Sequence, residues 1–547
     1  MKRLIFFILF FSISILPNIH AQDRMLGQDE LVAQMKSVLK AYEKSDSIAV
    51  AGTHLFSKKV IPAFYAFREY VPAWTDPNTV AQAIASIKGA YKEGLNPEDY
   101  HLSKILKYRS RQNNTAKDAV FLDILLTDGV LLYASHLYNG KVDPVSLDSD
   151  WNLEKKRFGA DTLNRLDDVI AKGGITEKLD GLKPQTPVYT NLKKQLEHYR
   201  VIVDKGGWQQ IEDGETLKPG MDDKRVPAVR RRLFVEGFVL DTLMESDVPT
   251  TYFDKKLAQG VVKFQQVYGL DLDSAVGKGT LASLNVTAIQ RVNQIRVNLE
   301  RARWVTGNLG NDFLLVNIAG FELFLTKDNK EVWRTEVMVG KPYHKTPVFR
   351  GKMSYLVLNP TWTIPSGILA NETIPKMRKD PGYLAKNNMV LMDNSGKKYP
   401  QSVLTPSQLQ KNYLPYQVVQ TPGPHNALGR VKFIFPNSHS VYLHDTPSKS
   451  LFSRASRAFS HGCIRVKDPL MLAKHLLADD AKWSEEEINK VIAKGDLTNV
   501  RLPKPLDVLL LYWTAGVESN GQVYFKEDVY DRDQFILDLL DEKRLVL

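Results

Sequence analysis

Apolar positions recur at helical spacing through much of residues 28–222. The spacing is clearest over 80–91 and over 119–137, where Phe121, Ile124, Leu125, Val130 and Leu131 share a stripe and Tyr138 follows. Asp76-Pro77-Asn78, Asn139-Gly140 and Gly173-Gly174 punctuate this region as loops. Residues 223–288 form a unit of a different kind. A short helix over 226–234 carries Arg230, Arg231 and Arg232, a second over 253–268 stops at Gly269, and Gly277-Lys278-Gly279 opens a third over 280–284. A helix over 289–304 then leads into period-two alternation at 313–319, 320–325 and 333–339, with Asp328-Asn329 at a turn. Further strands are predicted at 432–435, 440–443 and 508–513, and a charged helix over 485–494 is closed by Gly495. Residues 366–422 interrupt the strands with a long segment rich in Lys, Pro and Asn, of the size that often serves as a lid. Short strands after a helical half predict a multidomain α+β protein: a helical scaffold, a small three-helix domain and a β-sandwich-like domain with a capping insertion.

The chain start changes where this protein is expected to work. Lys2 and Arg3 precede an apolar run over 4–16, broken by Pro17, and Ile19-His20-Ala21 offers a cleavage point before Gln22. Residues 1–21 therefore read as a signal peptide, and the protein as exported, in the periplasm or cell envelope. No later stretch is expected to span a membrane, so membrane association is peripheral at most. The formal charge of +11 suits an anionic polymer, and with basic residues spread along the chain of an exported protein, cell wall fits better than nucleic acid. His101 and His136 read as structural residues.

Cys463 is the single cysteine among 547 residues. It has no intramolecular partner, and a lone thiol beside a histidine and a glycine in an exported chain reads as a nucleophile. Such a nucleophile needs a base, a group that orients the base, and donors for a developing oxyanion. His444 ends a predicted strand 19 residues upstream. Gly462 permits a tight turn, and the main-chain N–H groups around Gly462 and Cys463 are candidate oxyanion donors. Arg465 could depress the thiol pKa, bind a substrate carboxylate or brace the loop. The alternatives are a buried structural cysteine and a metal site. His425, His439, His444, His461 and Cys463 are available to a metal, but Cys-x-x-Cys is missing, and a strand would turn His439 and His444 to opposite faces. No Gly-x-Ser-x-Gly supports a serine hydrolase.

His444 followed by Ser460-His461-Gly462-Cys463-Ile464-Arg465 resembles the signature of the YkuD-type L,D-transpeptidases. Asn359-Pro360-Thr361-Trp362-Thr363-Ile364-Pro365, Asn426-Ala427-Leu428-Gly429-Arg430-Val431-Lys432-Phe433, Phe435-Pro436-Asn437, His444-Asp445-Thr446-Pro447 and Leu502-Pro503-Lys504-Pro505 resemble the large YcbB-like branch. Leu126-Thr127-Asp128-Gly129 and Gly206-Gly207-Trp208 are similar to that branch's scaffold domain, and 261–270 with Val276-Gly277 and Thr280-Leu281 to a peptidoglycan-binding domain. Val466 and His461 stand where many relatives carry Asn and some carry Ser.

After the signal peptide (1–21), the resemblance implies a scaffold domain (22–222), peptidoglycan-binding domain (223–288), connecting helix (289–311), catalytic domain (312–480, with 366–422 as cap) and C-terminal extension (481–547). It implies an acyl-enzyme on Cys463, formed from a tetrapeptide stem with release of the terminal D-alanine. Transfer to the third-residue amine of another stem follows. His444 would be the base, oriented by the Asp445 carbonyl. Tyr442 and Trp362 would line the substrate, and Ser460, His461 and Arg465 would shape the pocket. Peptidoglycan stem peptides and glycan would be the partners, and nothing calls for a cofactor or metal. The competing readings are an L,D-carboxypeptidase or endopeptidase on the same stems, and an inactive wall-binding protein.

Overall fold

The computed structural model describes residues 27–43, 49–57, 60–111, 115–146, 151–152, 162–240, 251–305, 310–518 and 521–542. The segment read as a signal peptide lies outside the described residues. The N-terminal half is helical, as expected, and is organised around the helix Ala116–Asn139. Thr115 and Asp118 cap its start reciprocally, which satisfies two of its free N–H groups. This helix corrects one expectation, because it is long and apolar enough to cross a membrane. Here it forms the scaffold's core instead. Its buried Asp123 accepts from Tyr65, Ala73 and Trp74, and its buried Asp128 from Phe56, Ser57 and His101. Two carboxylates inside an apolar helix thus tie four other stretches of chain to it, at 56–57, 65, 73–74 and 101. His136 bonds Tyr100 at 3.0 Å, so it and His101 both have structural partners.

Helices Val226–Val235, Lys255–Tyr268 and Lys278–Leu284 follow, near their expected positions. They share one apolar core with the helices Pro187–Asp204 and Ala288–Trp304. The latter helix ties the scaffold to the C-terminal segment. Its buried Arg303 bonds Glu300, the Glu93 carbonyl and Tyr189 of the scaffold, while Arg301 pairs with Asp533 near the C-terminus.

The C-terminal half is built on one sheet. Eight of its ten strands are β1 (Phe313–Asn317), β2 (Glu322–Lys327), β3 (Lys330–Gly340), β4 (Val348–Leu358), β5 (Val431–Ile434), β6 (Leu443–His444), β7 (Ile464–Val466) and β8 (Thr498–Leu511); Trp151–Asn152 adds to β4 and Ala458–Ser460 to β3. They are ordered β5-β6-β7-β3-β2-β1-β8-β4, and β4 also pairs with β5, so the pairings close into a circuit. The alternation seen in the sequence sends Leu314, Val316, Leu323, Leu325, Val337 and Val339 into the core, all fully buried.

Strand β8 corrects the domain boundary drawn at residue 480. It lies inside the sheet, parallel to β1 and antiparallel to β4, and is not an appended extension. The insertion is a small domain in its own right. Strands Trp362–Thr363, Met389–Met392, Lys398–Tyr399 and Gln417–Gln420 form its sheet, and Ile374, Met377, Leu391 and Val418 its core.

Candidate active site

Strand register assembles the site. β6 and β7 run parallel, with Leu443 beside Ile464 and His444 beside Arg465, and the Ile464 N–H donates to the Tyr442 carbonyl at 3.1 Å. Leu443 and Ile464 are fully buried in the core. Alternation therefore turns Tyr442, Cys463, His444 and Arg465 to the opposite face. On β5, Phe433 pairs with Leu443 in the core, and Lys432 pairs with His444 on the site face. Three adjacent strands thus present Lys432, His444 and Arg465 in one row, with Cys463 two residues from its end.

His444 is buried, and its Nδ1 lies 2.5 Å from the Asp445 carbonyl oxygen. A carbonyl only accepts, so the proton sits on Nδ1 and Nε2 carries the free lone pair. Burial, helped by Arg465, Lys432 and Lys449, pushes the imidazole down to about 3, against the pull of that carbonyl. The ring is neutral near pH 7. The Asp445 carboxylate does not touch it. That group accepts from the N–H groups of Arg430 and Thr446 and pairs with Lys449, so it holds the turn whose carbonyl orients the ring.

Cys463 is half-buried. Its thiol points at the Ser440 carbonyl at 3.8 Å, and no hydrogen bond joins it to His444 in this state. Burial pushes the thiol above its ordinary range, while Tyr442, Lys432 and Arg465 pull the other way. Cysteine and histidine are therefore both neutral at rest. Tyr442 sits between them. Its ring lies 5.6 Å from that of His444, and the Lys432 ammonium rests 3.8 Å over it.

The loop before Cys463 is stapled. Ser460 Oγ donates to the Cys463 carbonyl at 2.5 Å and accepts from the Gly462 N–H at 3.1 Å. This corrects the expected oxyanion donors, because the Gly462 N–H is occupied, whereas the Cys463 N–H has no acceptor among the described residues. Gly462 has φ of +109°, a region that side chains rarely enter.

Below the loop lies a support the sequence did not reveal. The fully buried Thr346 accepts from the Gly340 N–H at 2.9 Å and donates to the Gly462 carbonyl at 2.8 Å. Tyr530, from the C-terminal segment, receives the Thr346 N–H and donates to the Gly340 carbonyl. A Cβ on Gly340 would collide with the His344 carbonyl oxygen and crowd the Gly462 Cα at 3.1 Å, so this floor admits no side chain there.

Two expected site residues look elsewhere. His461 is exposed and meets Glu372 of the insertion at 2.7 Å. Trp362 is half-buried against the insertion's own core. His439 packs on Phe349, with ring centres 5.3 Å apart.

Residues 311–493 match the family model described as the L,D-transpeptidase catalytic domain, YkuD, and residues 59–196 match a scaffold domain. Over the first of these segments the chain is similar to the YkuD family of L,D-transpeptidase catalytic domains. It is 36% identical over 227 residues to a putative L,D-transpeptidase of Haemophilus influenzae, across 41% of this chain and 45% of that protein. The chain thus spans less than half the length of that relative. A solved L,D-transpeptidase from Xylanimonas cellulosilytica shares 15% identity and a TM-score of 0.18, covering 55% of this chain and 99% of that one. One from Mycobacterium smegmatis shares 15% and a TM-score of 0.17, over 37% and 58%. Scores this low carry no argument about the arrangement.

Proposed function

We propose that this protein is a peptidoglycan L,D-transpeptidase of the cell envelope. The observation that carries the reading is the register that sets Cys463 and Tyr442 side by side, on the face where His444 offers a free Nε2. With both groups neutral at rest, deprotonation accompanies attack. Cys463 Sγ bonds to the carbonyl carbon of the third residue of a tetrapeptide stem as His444 Nε2 takes the thiol proton. The Cys463 N–H faces the oxyanion. The tetrahedral adduct collapses, the C–N bond breaks, and D-alanine leaves with the proton from His444. The side-chain amine of a third residue on another stem then attacks the thioester. It gives a proton to His444, and the sulfur departs and regains it as a thiol.

The insertion, touching the catalytic loop through Glu372 and His461, acts as a cap that excludes water from the thioester. Tyr442 lines the donor path. Helices Val226–Val235, Lys255–Tyr268 and Lys278–Leu284 form the wall-binding unit.

The test is purified protein with disaccharide-tetrapeptide, read by mass spectrometry. A cross-linked dimer lacking one D-alanine, lost on Cys463→Ala, is expected. Tripeptide alone would make the protein a carboxypeptidase, and unchanged substrate would remove the assignment.

A further inference from the structure

The row on the site face holds two cations that lack a counter-charge. Lys432 stands opposite His444 across β5 and β6, and Arg465 stands beside His444 across β6 and β7. Both are half-buried, yet neither makes an ion pair with a carboxylate among the described residues. The Arg465 Nε is fully buried and has no acceptor. Among the described residues, Lys432 has only the face of the Tyr442 ring beneath its ammonium. Burial lowers the pKa of both cations, and Cys463 is the one group whose negative charge opposes this in either. Other half-buried cations here have partners, such as Lys183 and Lys193 with Glu93. Holding a cation out of water without a partner is costly, and the cost is offset when an anion arrives.

Thiolate stabilisation alone does not account for this placement, since the thiol stays above its ordinary range with both cations present. An incoming donor brings anions of its own. Its terminal carboxylate lies within about 4 Å of the scissile carbonyl carbon by standard bond lengths. An acidic third residue would carry a second carboxylate on its side chain. Lys432 and Cys463 are two strands apart, about 10 Å at the backbone, a span that an extended lysine and one stem residue bridge.

We propose that Lys432 and Arg465 form a carboxylate subsite for the donor stem, with Lys432 selecting acidic over neutral donors. This rests on the transpeptidase reading and adds the feature of the donor that the site recognises. The carboxylate is the terminal one or the third-residue one, and matched donors separate them.

The experiment measures kcat/KM for release of the terminal residue with three donors. One is a tetrapeptide with diaminopimelate at position three, the second is its C-terminal amide, and the third has lysine at position three. Each is assayed with wild type, Lys432→Met and Lys432→Arg. A charge-assisted contact predicts that one neutralised donor loses about ten- to hundredfold with wild type. Lys432→Met should lose a similar factor on the intact donor and no longer discriminate. Lys432→Arg, which keeps the charge, should retain discrimination and serves as the folding control. Equal rates for all three donors with wild type would overturn the subsite while leaving the transpeptidase reading intact. So would a Lys432→Met enzyme that is slower on every donor by one common factor and whose Cys463 alkylation profile moves to higher pH, because that pattern marks a role on the thiolate alone. Absence of turnover and of any Cys463 thioester with every donor would overturn both.

Discussion

Replacing Thr346 with Val tests whether the floor holds the catalytic loop. The side chains are nearly the same size, so the change removes one hydroxyl and little packing. That hydroxyl serves two buried main-chain groups, the Gly340 N–H at 2.9 Å and the Gly462 carbonyl at 2.8 Å. Each stranded group costs about 1–3 kcal/mol, and partial relaxation brings the pair to about 2–4 kcal/mol. If this energy holds the loop closed, local opening becomes about 30- to 700-fold more frequent, at tenfold per ~1.4 kcal/mol. Hydrogen exchange of the peptide spanning 458–466 reads that opening directly. Thr346→Ser keeps the hydroxyl and should exchange close to wild type. A Val variant whose loop amides exchange within about threefold of wild type would refute the reasoning.

Three further outcomes are expected. Alkylation of Cys463 by iodoacetamide should keep rising through pH 9 and beyond, because burial holds the thiol above its ordinary range and His444, at about 3, supplies no imidazolium. A plateau at neutral pH would mean a thiolate–imidazolium pair instead. Glu372→Gln weakens an exposed contact of about 0–1 kcal/mol and should raise hydrolysis relative to transfer by up to about fivefold; an unchanged product ratio would remove the cap from the account. A chain ending at residue 480 loses β8, whose Val508, Leu510 and Leu511 are buried at about 1.5–3 kcal/mol each, and should give no folded catalytic domain by near-ultraviolet circular dichroism. A native-like spectrum would show that the domain closes without β8.

The sequence exposed those parts of the molecule whose physics is local. Period-two alternation placed β1, β2 and β3 to within a few residues, and helices ended near their glycine stops at Gly269 and Gly495. β4 was missed because Arg350, Gly351 and Lys352 break its apolar rhythm, although it lies at the junction of two pairings. β8 was cut short by Pro503 and Pro505, which fall where its register shifts between Arg501 and Leu506. At the site, Cys463 and His444 were legible from residue type and neighbourhood.

Sequence alone offers the Gly462 N–H as an oxyanion donor, a role that Ser460 prevents, since a three-residue loop contact leaves no periodic trace. Thr346 and Tyr530 are 184 positions apart and carry no motif, so only the fold joins them. Lys432 had a readable signal. Alternation in Val431-Lys432-Phe433 turns it away from the core, on the strand that meets His444.

Turnover by this mechanism passes through an acyl group carried by Cys463. Protein mixed with a tetrapeptide stem, quenched in acid within the first turnovers and digested, should yield a peptide bearing the tripeptide as a thioester on Cys463. Free D-alanine should appear in equal amount. His444→Ala should form the same adduct far more slowly. D-alanine released with no adduct at any quench time, or released equally by Cys463→Ala, would contradict the account.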